Sequence, residues 1–171
     1  MRITQVRALI VVGFLTVVAI ATSLFAIASD SQTASGSQNC DPGDVPVDIS
    51  LPEEHDINVR ITNATDGAGL AEAAKEALDE YGFNVEDIST DKQKTEAPAE
   101  LYYGPNMVAG GHLLRAYFAS SEHHFSLDND TDYVEVVLGE GFQQVNTKSD
   151  ARNALGIIGH PQAPDGTCPT G

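Results

Sequence analysis

The sequence has no tryptophan, few aromatic residues and two methionines among its 171 residues. A core built from it must therefore be mostly aliphatic. Basic residues are also scarce. There are nine lysines and arginines against 25 acidic residues, a net charge of −16. Arg2 and Arg7 lie at the extreme N-terminus, and every acidic residue lies at or after Asp30. The remainder thus sets seven basic residues against 25 acidic ones, a charge of −18. Such a surface repels nucleic acid, so a nucleic-acid partner is excluded. Net charge alone points to solubility and a solvated face, and a cationic partner is the sharper alternative. There is no GxSxG elbow, no CxxC pair, no phosphate loop and no dinucleotide fingerprint. No motif calls for a cofactor, and the chain is read as a non-enzyme.

What the chain does have begins at its start. From Ala8 to Ser29 runs ALIVVGFLTVVAIATSLFAIAS, without a charge. As a helix these residues span roughly 33 Å, enough to cross a bilayer core. The flanking charges, Arg2 and Arg7 before and Asp30 after, leave the N-terminus in the cytoplasm and residues 30–171 outside. The expectation is a cytoplasmic tail (1–7), a signal-anchor helix (8–29) and an extracytoplasmic domain. Ala26-Ile27-Ala28 also fits a signal-peptidase site, and cleavage near Ala28 would give a secreted protein. The apolar run is longer than the core of an ordinary signal peptide, which favours the anchor.

Cys40 and Cys168 both fall in the outer part. In an oxidising compartment an isolated pair is most simply a disulfide. It would pin two terminal segments, and a redox thiol or metal site is the competing reading. Residues 30–54 are rich in Ser, Gly, Pro and Asp and read as a linker or strap.

Beyond it, Ile57, Val59 and Ile61 alternate with polar residues, predicting a strand over Asp56–Asn63. Leu70, Ala74, Ala77, Leu78 and Tyr81 recur at helical spacing, and Gly82 is the stop. A second strand follows at Asn84–Ser89 and a third at Glu100–Tyr103. Asn106 is placed to cap a second helix, Met107 to about Ser120. A weak strand, His124–Leu127, precedes the strongest one, Tyr133–Leu138. Ser149 or Asp150 is placed to cap a last helix through Ile158, and a tail runs to Cys168. The predicted fold is a two-layer α/β (α+β) sandwich in βαββαββ order. It has a mixed sheet of four or five short strands with two main helices on one face.

INVRITNATDGAGLAEAAKEALDEYGFNVEDIST resembles the opening of the LytR C-terminal domain family. ELYYGPN before a helix and YVEVVLGEGF resemble its later elements. The resemblance covers about Asp56–Val145, within a domain placed at 55–146 and followed by a tail, 147–171, tied back by the disulfide. It implies support of cell-envelope integrity through a protein or envelope-polymer partner, and it supplies no catalytic residues. The order of apolar run, one such domain and bracketing cysteines is that of an actinobacterial envelope protein. In the large LytR-CpsA-Psr proteins a transferase domain precedes this one. The roughly 26 residues between the apolar run and the first strand cannot hold it. The alternative function is a ligand- or ion-binding sensor module of the envelope.

The candidate binding surface comprises Asn63, Thr65, Gly67 and Gly69 of the first strand-to-helix turn, with Asn106 of the second. Both turns follow strands and open helices, so they are expected to approach each other, with exposed N–H groups. Asp128, Asp130 and Asp132 resemble the start of a calcium loop. Tyr133 replaces the required Gly and Gly139 the closing Glu, so they are weak metal candidates. His55, His112, His123, His124 and His160 lack metal-ligand spacing. His123 and His124 are adjacent on an extended segment and so must point to opposite faces.

Overall fold

The computed structural model describes residues 40–91 and 94–170. The tail 1–7, the apolar run 8–29 and the first part of the strap, 30–39, lie outside the described residues. Among the described residues no helix is long and apolar enough to cross a membrane.

The described residues form seven strands and three α-helices: β1 (Val45–Val47), β2 (Asn58–Asn63), α1 (Leu70–Tyr81), β3 (Asn84–Thr90), β4 (Ala99–Tyr103), α2 (Val108–Tyr117), β5 (Glu122–Phe125), β6 (Tyr133–Leu138), α3 (Lys148–Ile158) and β7 (Thr167–Pro169). The main sheet has the order β3-β2-β6-β4-β5. β2 runs parallel to β3 and β6, β4 runs antiparallel to β6, and β5 runs parallel to β4. The sheet is thus two βαβ units, β2-α1-β3 and β4-α2-β5, pointing opposite ways around β6. The right-handed rule for such crossovers puts both helices on one face. The burial agrees. Val59, Ile61, Leu101, Val134, Val136 and Leu138 point to the helices and are at most 1% exposed. Side chains of this size contribute roughly 1.5–3 kcal/mol each on full burial.

Local signals fix the boundaries. Gly82 ends α1 at φ +102°, and the amide of Phe83 returns to the Leu78 carbonyl at 3.0 Å. Phe83 then packs edge-on against Tyr117 at 4.9 Å, joining α1 to α2. The Tyr117 hydroxyl donates to Glu54 at 2.8 Å.

Four expectations need correction. Asn106 does not cap α2. It lies in a 3-10 turn, Pro105–Met107, and α2 starts at Val108 without a side-chain cap. Thr147, not Ser149 or Asp150, caps α3, its hydroxyl accepting from the Asp150 amide at 3.2 Å. β5 begins two residues earlier than predicted: Phe125 pairs opposite Tyr103 on the helix side, while Leu127 is 46% exposed and lies beyond the strand. Residues 45–47, read as strap, are a strand. β1 pairs in parallel with β7, Val45 opposite Thr167 and Val47 opposite Pro169.

This small sheet and the Cys40–Cys168 disulfide, with Cα atoms 5.5 Å apart, join the two ends of the domain. Closing so long a loop stabilises by roughly 4–5 kcal/mol at most. The main core, Ile57 to Ala151, lies between the cysteines in sequence and is built by contacts that do not include them. Replacing both cysteines by serine is therefore expected to lower the melting temperature while retaining the folded near-UV circular dichroism spectrum. A chain that fails to fold without the bond would contradict this.

Candidate functional site

The Asn63–Gly69 turn is closed by its own side chains. Asn63 ends β2 and is 7% exposed. Its Nδ2 donates to the Gly67 carbonyl at 2.7 Å, and its Oδ1 accepts from the Thr65 amide at 3.1 Å and hydroxyl at 2.9 Å. The Gly67 amide donates to the Thr65 hydroxyl at 2.9 Å. Two amides that would hold an anion are thus already occupied. Gly69 takes φ +80° to open α1. Asp66 is paired with Lys94.

Asn106 is not near this turn. Asn63 is in register with Leu138, and Leu138 with Ala99 at the start of β4. Gly104 follows the other end of β4, so the two turns lie at opposite ends of the sheet. The expected single surface is two. Asn106 Nδ2 donates instead to the Asp130 carbonyl at 3.1 Å. Gly104 is pressed on the same loop, where a Cβ would sit 1.7 Å from the Asn129 carbonyl oxygen. In that loop Asn129 Oδ1 accepts from the Thr131 amide and hydroxyl at 3.1 and 2.7 Å. Asn129 and Thr131 hold the loop, while Asp128, Asp130 and Asp132 are exposed and do not converge. Among the described residues these three carboxylates are not gathered into a metal-ligand set.

Among the described residues, Glu100, Glu122 and His124 form the set of three carboxylate or imidazole groups with ligand atoms within 4.8 Å. They lie on the helix-free face of β4 and β5. Both Glu100 oxygens are hydrogen-bonded, one to the Thr95 hydroxyl and one to Tyr102, each at 2.5 Å. Those two hydroxyls hold the Glu100 carboxyl below its ordinary range, and the Glu100 bond pushes the Tyr102 phenol up to about 12. The Tyr102 ring stacks on His124 at 4.6 Å. This is a hydrogen-bonded polar face whose central carboxylate is already satisfied.

A different arrangement lies on the opposite side of β5. The alternation of the strand sends His124 to the open face and His123 to the helix side. There α2, β5 and the segment after α3 enclose a cleft of about 480 Å³. Nine of the ten residues of α2 are buried, and Arg115 alone is not. Arg115 lines the cleft with His112, His123 and His160. Gly111 explains how Tyr103 joins them. A Cβ there would meet the Tyr103 ring at 2.7 Å, so the glycine lets that ring lie against the helix backbone. Tyr103 is 6% exposed and lines the cleft. Its hydroxyl has no hydrogen-bond partner among the described residues. No enclosed side-chain oxygen or nitrogen among them lacks a partner, so this hydroxyl opens to the cleft.

The electrostatics follow from that placement. His112 is 8% exposed, and its Nε2 donates to the Gly159 carbonyl at 2.8 Å, which ties the end of α3 to α2. Burial pushes His112 below its ordinary value against that bond, and Arg115 and His160 push it further. Desolvation lowers His123 too, aided by Arg115, His124 and His112. Burial raises the Tyr103 phenol while Arg115 opposes it. The sequence reading named these histidines only to reject metal spacing, and missed Tyr103 and Arg115. The available signal was His112 and Arg115, three apart on an otherwise apolar helix.

The comparisons with known proteins agree with this fold. The family model of the LytR cell envelope-related transcriptional attenuator matches residues 56–142. The crystal structure of the soluble domain of a conserved hypothetical secreted protein from Mycobacterium marinum, described as an Rv2700 ortholog, is similar with a TM-score of 0.55. It is 21% identical, and the match covers 70% of this chain and 84% of that one. No curated protein matches.

His112 gives a pH-dependent prediction. Its lowered value means that the unfolded chain binds more protons than the native one just below about pH 6.5. Stability is expected to fall as pH drops through that range. His112→Ala should cost about 1–3 kcal/mol at pH 7.5, because the Gly159 carbonyl loses its donor. It should also flatten the acid slope in urea unfolding. An unchanged slope would contradict the assignment.

Proposed function

The chain belongs to the LytR C-terminal domain family, and from that membership we propose a membrane-anchored extracytoplasmic protein that supports envelope integrity by binding a protein or envelope-polymer partner. The family match over residues 56–142 carries the reading. It supports a cell-envelope-related role. Three features support the finer parts. The Cys40–Cys168 disulfide suits an oxidising compartment outside the cytoplasm. The apolar run Ala8–Ser29, with Arg2 and Arg7 before it, supplies an anchor of sufficient length. The order of run, domain and bracketing cysteines resembles that of the actinobacterial envelope-integrity protein Cei.

The binding role rests on available surface. Hydrogen bonds within the Asn63–Gly69 turn and around Asn106 already occupy the groups those turns would offer. The cleft beside α2 retains an arginine, a phenol and imidazoles directed at solvent. It is the better contact surface of the two.

One experiment separates the parts of this proposal. The tagged full-length protein should sediment with membranes and keep residues 1–29, and its deletion should sensitise cells to detergent and lysozyme. A mature N-terminus at Ser29 would make the protein secreted. Unchanged resistance in the deletion strain would remove the envelope role.

A further inference from the structure

We propose that the cleft between α2, β5 and the segment after α3 is an oxyanion-binding site, in which Arg115, His160, His123 and the Tyr103 hydroxyl receive a phosphate, sulfate or carboxylate group. This deepens the binding role proposed above and rests on it. The first observation is composition. None of the eleven residues lining the cleft is Asp or Glu, although the whole chain has 25. In a protein so acidic, this wall carries an arginine, imidazoles able to gain a proton and no carboxylate to oppose an anion.

The second observation is the state of its polar groups. Arg60 pairs with Glu86, Lys75 with Asp79 and Lys94 with Asp66 and Glu140, while Lys148 and Arg152 have no ion pair among the described residues and lie outside the cleft. Arg115 has no carboxylate within ion-pair distance among the described residues, although it is half-buried. The Tyr103 hydroxyl is a second donor without a hydrogen-bond partner among the described residues, open to the cleft on a side chain more than nine-tenths buried. An oxyanion would accept from both. Arginine suits this role because its planar fork matches phosphate and carboxylate oxygens.

The overall charge of −16 does not forbid it. Exposed charges further away than a Debye length, about 8–10 Å at physiological salt, are largely screened. The lining therefore dominates at contact. The long-range field slows the approach of an anion and leaves its local contacts intact.

The charged or titratable groups lining the cleft are Tyr103 on β4, His112 and Arg115 on α2, His123 on β5, and His160 after α3. His124 and Glu122 stand behind β5 on the open face. A bound anion favours the protonated imidazoles, so affinity rises as pH falls. Val108, Phe125 and Ile158 also line the space, which gives an apolar body attached to the oxyanion something to pack against.

The test uses probes whose charge is constant between pH 6 and 8. Inorganic sulfate and hexyl sulfate are titrated into the full-length protein in nonionic detergent, and the histidine ring resonances are followed by NMR. Saturable binding is expected, several-fold tighter at pH 6 than at pH 8. Arg115→Gln should weaken it at least tenfold, and His160→Gln, at an exposed position, several-fold with an unchanged melting temperature. Tighter binding of hexyl sulfate assigns an amphiphile such as a lipid headgroup, and equal binding assigns a free oxyanion. Either supports the site. No saturation, equal affinity at both pH values, or wild-type affinity in Arg115→Gln overturns it. If cells lacking the protein are nevertheless sensitised, only the oxyanion site falls. If they are not, the envelope role itself falls.

Discussion

Strand β6 pairs in parallel with β2 on one side and antiparallel with β4 on the other. The remaining layout depends on this change of direction. With the two βαβ units facing opposite ways, right-handed crossovers bring α1 and α2 to the same side of the sheet. Three side chains of β6, Val134, Val136 and Leu138, are fully buried beneath them. The opposite face is left to Arg60, Thr62, Glu100, Tyr102 and Glu135. The same change of direction separates the two glycine-containing turns. It also sets β5 at an edge, where its inward residues meet the end of α2 and the chain returning from α3.

That edge explains why the cleft has its composition. α2 is buried almost throughout, which costs it the usual polar face and leaves Arg115 as its one residue that is not buried. Gly111 admits the Tyr103 ring against the helix, and the His112–Gly159 bond holds α3 beside it. The β1–β7 pairing and the disulfide then fix the tail that forms the outer wall. Core packing, backbone closeness and terminal closure thus converge on one cavity.

Much of the frame was legible in the sequence. The α1 boundaries followed from helical spacing and Gly82, and β6 from the unbroken YVEVVL. The family resemblance was carried by those same local patterns. What escaped was set by partners distant along the chain. β1 is three residues long and gains its bonds from β7, more than a hundred residues away. Asn106 had the right residue type for a cap, yet the Asp130 carbonyl offered its side chain a partner across the sheet end. The separation of the two turns required knowing that β4 is antiparallel to β6, which no periodicity encodes. The cleft was hidden for the same reason. Its polar residues come from four segments, and along the chain only the His112–Arg115 spacing and the split of His123 from His124 were visible.

The central claim is that this cleft, rather than the open sheet face or the strand-to-helix turns, is where the domain meets the envelope. Amide chemical-shift mapping of the isotope-labelled full-length protein against solubilised envelope polymer tests it most directly. The account predicts perturbations concentrated at Tyr103, His112, Arg115, His123 and His160. Perturbations centred instead on Thr62, Tyr102 and Glu135, or on the Asn63–Gly69 turn, would contradict it.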